Sequence, residues 1–147
     1  MGDAASDIAV LTGSSWTATP EDYSSMRSLE FSEDGSGTLT YGYGQTIYAI
    51  IKCRWRVARA CVLELEYLES PRYQRFQGFV PDESNRHREL GYRLIEGEVE
   101  GVEIIVARPF RYLWTLELSG SPYPEGLAFP YGVPTVYHGH HRQAAER

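Results

Sequence analysis

Residues 45–57 read QTIYAIIKCRWRV. From Ile47 onward every second residue is apolar: Ile47, Ala49, Ile51, Cys53, Trp55 and Val57. Lys52, Arg54 and Arg56 fall between the last of them. Successive side chains of a strand point to opposite faces, so this period marks one buried face and one wet face. The stretch predicts a long β-strand laid over a core.

The same alternation continues on both sides. A short turn at 58–60 leads into CVLELEYL (61–68), where Leu63, Leu65 and Tyr67 alternate with Glu64 and Glu66. Across that hairpin Arg54 and Arg56 fall opposite the two glutamates, so cross-strand ion pairs are expected. Upstream, GSSWTAT (13–19) predicts a first strand, and RSLEFSE sets Leu29 and Phe31 on one face. EDGSG (33–37) is turn chemistry, since glycine accepts positive φ. TLTYGY then places Leu39, Tyr41 and Tyr43 together.

Downstream, strands are predicted over 88–101, 102–108 (VEIIVAR), 110–119 and, briefly, 135–141. FRYLWTLELS alternates Phe110, Tyr112, Trp114, Leu116 and Leu118 with Arg111, Leu113, Thr115, Glu117 and Ser119. Two connections break the rhythm: 70–86, and the proline- and glycine-rich 119–134, which cannot form a central strand. Seven to nine antiparallel strands, each with one apolar face, predict an all-β fold. A sheet curled into an up-and-down barrel buries that face and removes its edges; a β-sandwich is the alternative.

The chain has 147 residues and a net charge of −6, from 14 basic and 20 acidic residues. Such a domain buries roughly 70% of its unfolded surface, enough for one core without staples. A single domain over 1–147 is expected, with 1–10 and 142–147 as flexible termini. The acidic balance repels phosphate backbones and anionic lipid, which disfavours nucleic-acid and membrane partners. No apolar run approaches the ~20 residues that span a bilayer. MGDAASDIAVL lacks a signal-peptide core; it matches the myristoylation pattern through Gly2 and Ser6, but no basic cluster supplies a second anchor. Cys53 and Cys61 flank a hairpin turn and read as reduced thiols of a cytoplasmic protein.

Gly13 and Trp16 ahead of a meander, then LEFSEDGSGTLTYG, a strand ending in WRV, and LELEY, resemble small bacterial lipocalin-like (calycin) domains. The likeness covers roughly 10–118, with GSSW standing where lipocalins carry G-x-W. It implies a barrel with a central cavity for small apolar ligands, adapted to catalysis in some relatives. It also implies that Gly13 and Trp16 serve folding, the tryptophan closing the barrel's base.

The candidate sites follow from which residues share a face. In YHGHH (137–141), His138 and His140 share a strand face and His141 takes the other, so only an H-x-H pair could chelate. A third ligand would have to be His87 or an unassigned carboxylate. Surface histidines are therefore expected, with no metal and no cofactor. Glu96, Glu98 and Glu100 fall on one strand face and read as solvated. No phosphate loop or nucleophile elbow is present.

Tyr41, Tyr43, Trp55, Tyr67, Tyr92, Tyr112 and Trp114 fall on faces predicted to point inward, among eleven tyrosines in all. Converging aromatics with a few hydroxyls resemble a small-molecule site, and equally a packed aromatic core. In the 70–88 connection Arg72, Arg75, Arg86 and Arg88 outnumber Asp82 and Glu83. With Tyr73, Phe76 and Phe79 it forms either a lid over the cavity or a partner surface. The leading expectation is a binder of a small, largely apolar or amphipathic molecule, with Arg72 and Arg75 as lid residues. One alternative is a cyclase or isomerase using the same cavity, with His87 or Glu89 as acid–base candidates at its mouth. Another is a protein-interaction module such as a small inhibitor or immunity protein. A homodimer is left open.

Overall fold

The structure is a computed structural model and describes residues 4–18, 25–43, 46–103, 108–127, 129 and 132–141. A helix, α1 (Ala4–Gly13), precedes eight strands: β1 (Ser14–Thr17), β2 (Ser25–Phe31), β3 (Ser36–Tyr43), β4 (Thr46–Arg59), β5 (Val62–Tyr67), β6 (His87–Glu103), β7 (Arg108–Leu118) and β8 (Val136–His141). Each strand pairs antiparallel with the next, and β8 pairs with β1 to close the barrel. The expected up-and-down barrel is the fold, and the sandwich is not.

The period of two in 45–57 does what it predicts. Ile47, Ala49, Ile51, Cys53 and Trp55 are buried, while Lys52, Arg54 and Arg56 are exposed. The neighbouring strand places Glu66 opposite Arg54 and Glu64 opposite Arg56, and Arg56 forms an ion pair with Glu64. At the β2–β3 turn Gly35 takes φ +90. Asp34 Oδ1 accepts hydrogen bonds from the Ser36 backbone N–H (2.9 Å) and hydroxyl (2.6 Å). Those donors favour the ionised carboxyl and lower its pKa.

Three expectations need correction. Residues 4–10, taken as part of a flexible terminus, belong to α1. Leu11 of that helix is fully buried, and its carbonyl accepts from Trp16 Nε1 at 3.0 Å. Residues 1–3 and 142–147 lie outside the described residues. Second, VEIIVAR is not one strand: Val102 and Glu103 end β6, and Arg108 begins β7. The sequence between them is a continuous apolar run, IIVA, with no glycine or proline, and gave no sign of the reversal. Third, the β6–β7 register shifts between Glu96 and Val99, where Gly97 has φ +151. Counting by twos does not carry across a bulge, and the side chains of Glu98 and Glu100 lie outside the described ones.

β1 leaves α1, so odd-numbered strands run away from the helix and even-numbered strands return. The tight β2–β3 and β4–β5 turns therefore lie toward α1, and the long β5–β6 and β7–β8 connections lie at the other end. Between them Trp16, Leu29, Leu39 and Ile51 stand in one register row, all fully buried. Gly139 is the partner of Trp16 on β8. A Cβ there would lie 2.9 Å from the Trp16 ring, closer than real Cβ contacts, so the glycine makes room for the indole. Among the described residues no helix is long and apolar enough to cross a membrane.

Candidate ligand site at the loop end

The β5–β6 connection folds into a small hairpin. Ser70 and Phe79 exchange backbone hydrogen bonds, as do Tyr73 and Phe76 nearer the tip. Gly78, at φ +93, lies so close to Ser70 and Arg72 backbone that a Cβ would meet them at 3.1 and 3.2 Å. The hairpin is tied to β4 by Lys52 N–H donating to Ser70 Oγ (2.9 Å) and Ile47 N–H donating to Gln74 Oε1 (2.6 Å). Phe76 and Phe79 are buried beneath it, Phe79 edge-on to Tyr67 at 6.2 Å. Tyr73 is half exposed.

The β7–β8 connection goes further in. Arg88 holds its start, donating to the Ser121 carbonyl at 2.7 Å and pairing with Glu125 at 3.1 Å. Tyr67 donates its hydroxyl to the Pro122 carbonyl at 2.6 Å. Tyr123 is 1% exposed and donates to the Thr40 carbonyl of β3, also at 2.6 Å. Tyr137 donates to the Pro134 carbonyl at 3.0 Å. Rings close around these bonds: Tyr41 meets Phe129 at 4.9 Å and Tyr123 at 6.0 Å, and Tyr123 meets Phe129 at 5.1 Å. A phenol removed from water is disfavoured as phenolate, so burial pushes Tyr67, Tyr123 and Tyr137 above the usual tyrosine range. All three hydroxyls stay protonated donors at neutral pH.

A further cation faces inward beside this cluster. Arg27 shares a β2 face with Leu29 and Phe31 and stands in register with Tyr41. It is half-buried, and its positive charge acts on both Tyr123 and Tyr137, partly opposing the effect of burial. Where the two connections meet, a half-open groove of about 590 Å³ is lined by Tyr48, Phe76, Leu127 and Phe129, with Arg75, Gln77 and two glycines at its rim. Tyr48 reaches it because the β3–β4 register shifts there: Tyr41 pairs with Ala49, Gly42 with Ile47, and Tyr48 is the extra residue.

The residues predicted for a ligand site do not converge on one cavity. Tyr41 and Tyr67 come together at the loop end, and Arg75 lies at the groove's rim. Trp55 lies toward α1, tilted on Phe31 at 5.1 Å, with Nε1 donating to the Ser32 carbonyl. Tyr92 donates to Asp7 Oδ2 of α1 at 2.6 Å. Trp114 is half-buried opposite Gly139, near Trp16. Arg72 is exposed on the hairpin. The side chains of Tyr43 and Tyr112 lie outside the described ones. His87 and Glu89, expected at the mouth, pair with Glu66 and Glu64 on the outer face, where Glu89 binds Arg59 at 3.0 Å. His138 Nδ1 meets Thr115 Oγ1 at 3.0 Å, and burial lowers its pKa; the side chains of His140 and His141 lie outside the described ones. Among the described residues no three His, Cys, Asp or Glu side chains gather as metal ligands would.

Sequence reasoning missed Arg27, Tyr48, Tyr123, Phe129 and Tyr137. Two of them were within reach of parity: Arg27 lies two residues before Leu29, and Tyr137 two before Gly139. Tyr123 and Phe129 sit in a proline-rich stretch that has no period to place them. Compared with known proteins, the chain matches no family, no curated sequence and no solved structure.

Proposed function

We propose that this protein is a lipocalin-like barrel that binds a small, largely apolar ligand at its loop end. The observation that carries this reading is the groove between the two long connections. Its walls are aromatic and aliphatic, and it has few polar points, Arg75 among them. That combination suits an amphipathic molecule whose body contacts the rings and whose anionic or carbonyl end meets the guanidinium. Eight closed strands and a fully buried Trp16 against α1 support the calycin-like comparison.

The test is titration with an anilinonaphthalene sulfonate and with an uncharged naphthalene of similar size. Saturable binding near one site per chain is expected for both. Leu127→Arg, which fills the groove with a charge, should abolish it. Arg75→Ala should weaken the sulfonate alone. Absence of saturable binding by either probe would overturn the reading and turn attention to the acidic outer faces as a protein-binding surface.

A further inference from the structure

The outer wall of the barrel divides into two halves. On β4, β5 and the start of β6 the outward rows carry charge: Arg54 faces Glu66, which faces His87, and Arg56 faces Glu64, which faces Glu89. Around the closing seam one row carries none. Ile95 stands opposite Thr115, Thr115 opposite His138, His138 opposite Thr17, and Thr17 opposite Ser28. The row runs on through Thr40 to Ile50, again without an acid or a base. Burial favours the neutral form of His138, whose ring meets the Thr115 hydroxyl at 3.0 Å. The charges that border the row are engaged within the chain: Glu30 accepts from the Ser15 hydroxyl at 3.2 Å, Arg93 pairs with Glu117 at 2.7 Å, and Lys52 donates to Thr38. Apolar side chains gather on the same stretch. Of the six large hydrophobic residues exposed among the described ones, Ile95, Leu113 and Val136 are three. Leu113 lies two residues before Thr115 and Val136 two before His138, so all three surround that pair on one face.

We propose that this uncharged face, centred on Thr115 and His138, is where a second copy of the chain docks, forming a weak two-fold dimer. Electrostatics select the occupant. At a net charge of −6 two copies repel, and charge of that size keeps a protein monomeric wherever carboxylates would meet. On the seam side two copies approach with no carboxylate against carboxylate. A strongly charged partner would find no opposite charge there to pair with, whereas the same face on a second copy brings matching methyl groups and hydroxyls. A two-fold contact repeats each pairing once from either side, so one such patch is enough to close the assembly. Size sets the strength. Three or four strands about 4.8 Å apart and about 20 Å long present a footprint of about 300 Å². That is below the roughly 800 Å² per partner of standard interfaces, so dissociation on the order of tens of micromolar is expected. The loop-end groove shares none of these residues, so the two sites act independently.

Sedimentation velocity of the full chain from about 5 to about 500 µM should show a reversible shift from monomer to dimer. Over the same dilution series, backbone amide resonances should move at 93–95, 113–117, 136–139 and 15–17. They should stay fixed on β4 and β5 and around the groove. That mapping uses the wild-type chain, so it holds even where a variant folds poorly. Leu113→Arg sets like charges on the facing patches and should keep the chain monomeric throughout the range; its side chain points outward, so the melting temperature should stay near that of wild type. Val80→Arg adds the same charge at the most exposed apolar residue, on the loop-end side, and should dimerise as wild type does. A chain that stays monomeric at about 1 mM overturns the assignment. So does a dimer whose shifting resonances lie at the loop end or on β4 and β5. Association that survives Leu113→Arg and is lost with Val80→Arg overturns it too, because the copies then meet through the loops.

Discussion

At one end of the barrel Trp16 is sealed by α1, which supplies the carbonyl for its indole N–H, and by Gly139 of β8, which supplies the space for its ring. At the other end Tyr123 arrives from a connection far along the chain, and its hydroxyl meets Thr40, 83 residues away. Both side chains are almost completely buried. Their neighbours differ in kind. Trp16 has Leu11, Leu29 and Leu39 around its row, where contacts depend on shape apart from the one indole hydrogen bond. Tyr123 has phenols, main-chain carbonyls and the charge of Arg27, where each contact can be matched by another donor or acceptor. Burial alone therefore does not say how a group is held: the helix end rests on packing around one bonded indole, the loop end on a set of matched donors and acceptors.

The sharpest way to break this contrast is truncation at the helix end. Trp16→Ala should lower unfolding free energy by about 3–5 kcal/mol in urea titration, the range for a large aromatic removed from a packed core. If Tyr123→Ala cost as much, the two ends would be equivalent and the contrast lost.

Alkaline titration sharpens it. Tyr67, Tyr123 and Tyr137 titrate higher in the folded chain than in the unfolded one. Their contribution is complete below the unfolded pKa near 10 and is lost as pH rises toward the folded value. Stability should thus fall above about pH 10 by roughly 1.4 kcal/mol per pH unit for each phenol still protonated in the fold. The Cys53 thiol, pushed by burial from 9.0 to about 12, begins the decline slightly earlier. Tyr123→Phe should shallow the slope by one group, whereas Trp16→Phe should not change it.

At neutral pH Tyr123→Phe should cost about 1 kcal/mol, the net value of one hydrogen bond plus the unpaired acceptor it leaves. The smallest effect belongs to the outer face. Arg56→Gln removes the ion pair with Glu64, but the pair is exposed and screened, so the urea midpoint should stay within error. A large loss there would mean that the outer lattice of charges, and not the two ends, governs stability.

Most of the barrel wall was legible because a half-buried strand writes its two faces directly into alternate residues. Ile47 to Trp55, Leu63 to Tyr67, and the Arg56–Glu64 pair could all be placed by counting in twos. The helix was not legible: α1 has only Leu11 fully buried and is acidic in its first turn, so it shows no apolar stripe. Nor was the Glu96–Val99 bulge: Gly97 stands at it, but a glycine inside a strand pattern does not by itself fix where the register shifts. The site was legible only in part. Tyr41 and Tyr67 lie on regular strands and Arg75 stood out by the charge of its connection, whereas Tyr123 and Phe129 depend on where a proline-rich connection happens to dock. His87 and Glu89 went astray for a simpler reason: parity puts both with the outward glutamates, and proximity to a loop in sequence was taken for proximity to the mouth.

The β1–β8 pairing has a consequence for how the chain could be redrawn. Ser14 and His141 lie opposite one another, so the barrel's first and last strands end side by side. A ring of neighbours closed in that way has no privileged starting strand. A circular permutant that joins β8 to α1 by a short polar linker, and opens at Asp34–Gly35, would keep every ladder. Its tryptophan emission should differ from wild type through Trp55, whose Nε1 donates to the Ser32 carbonyl of the opened turn.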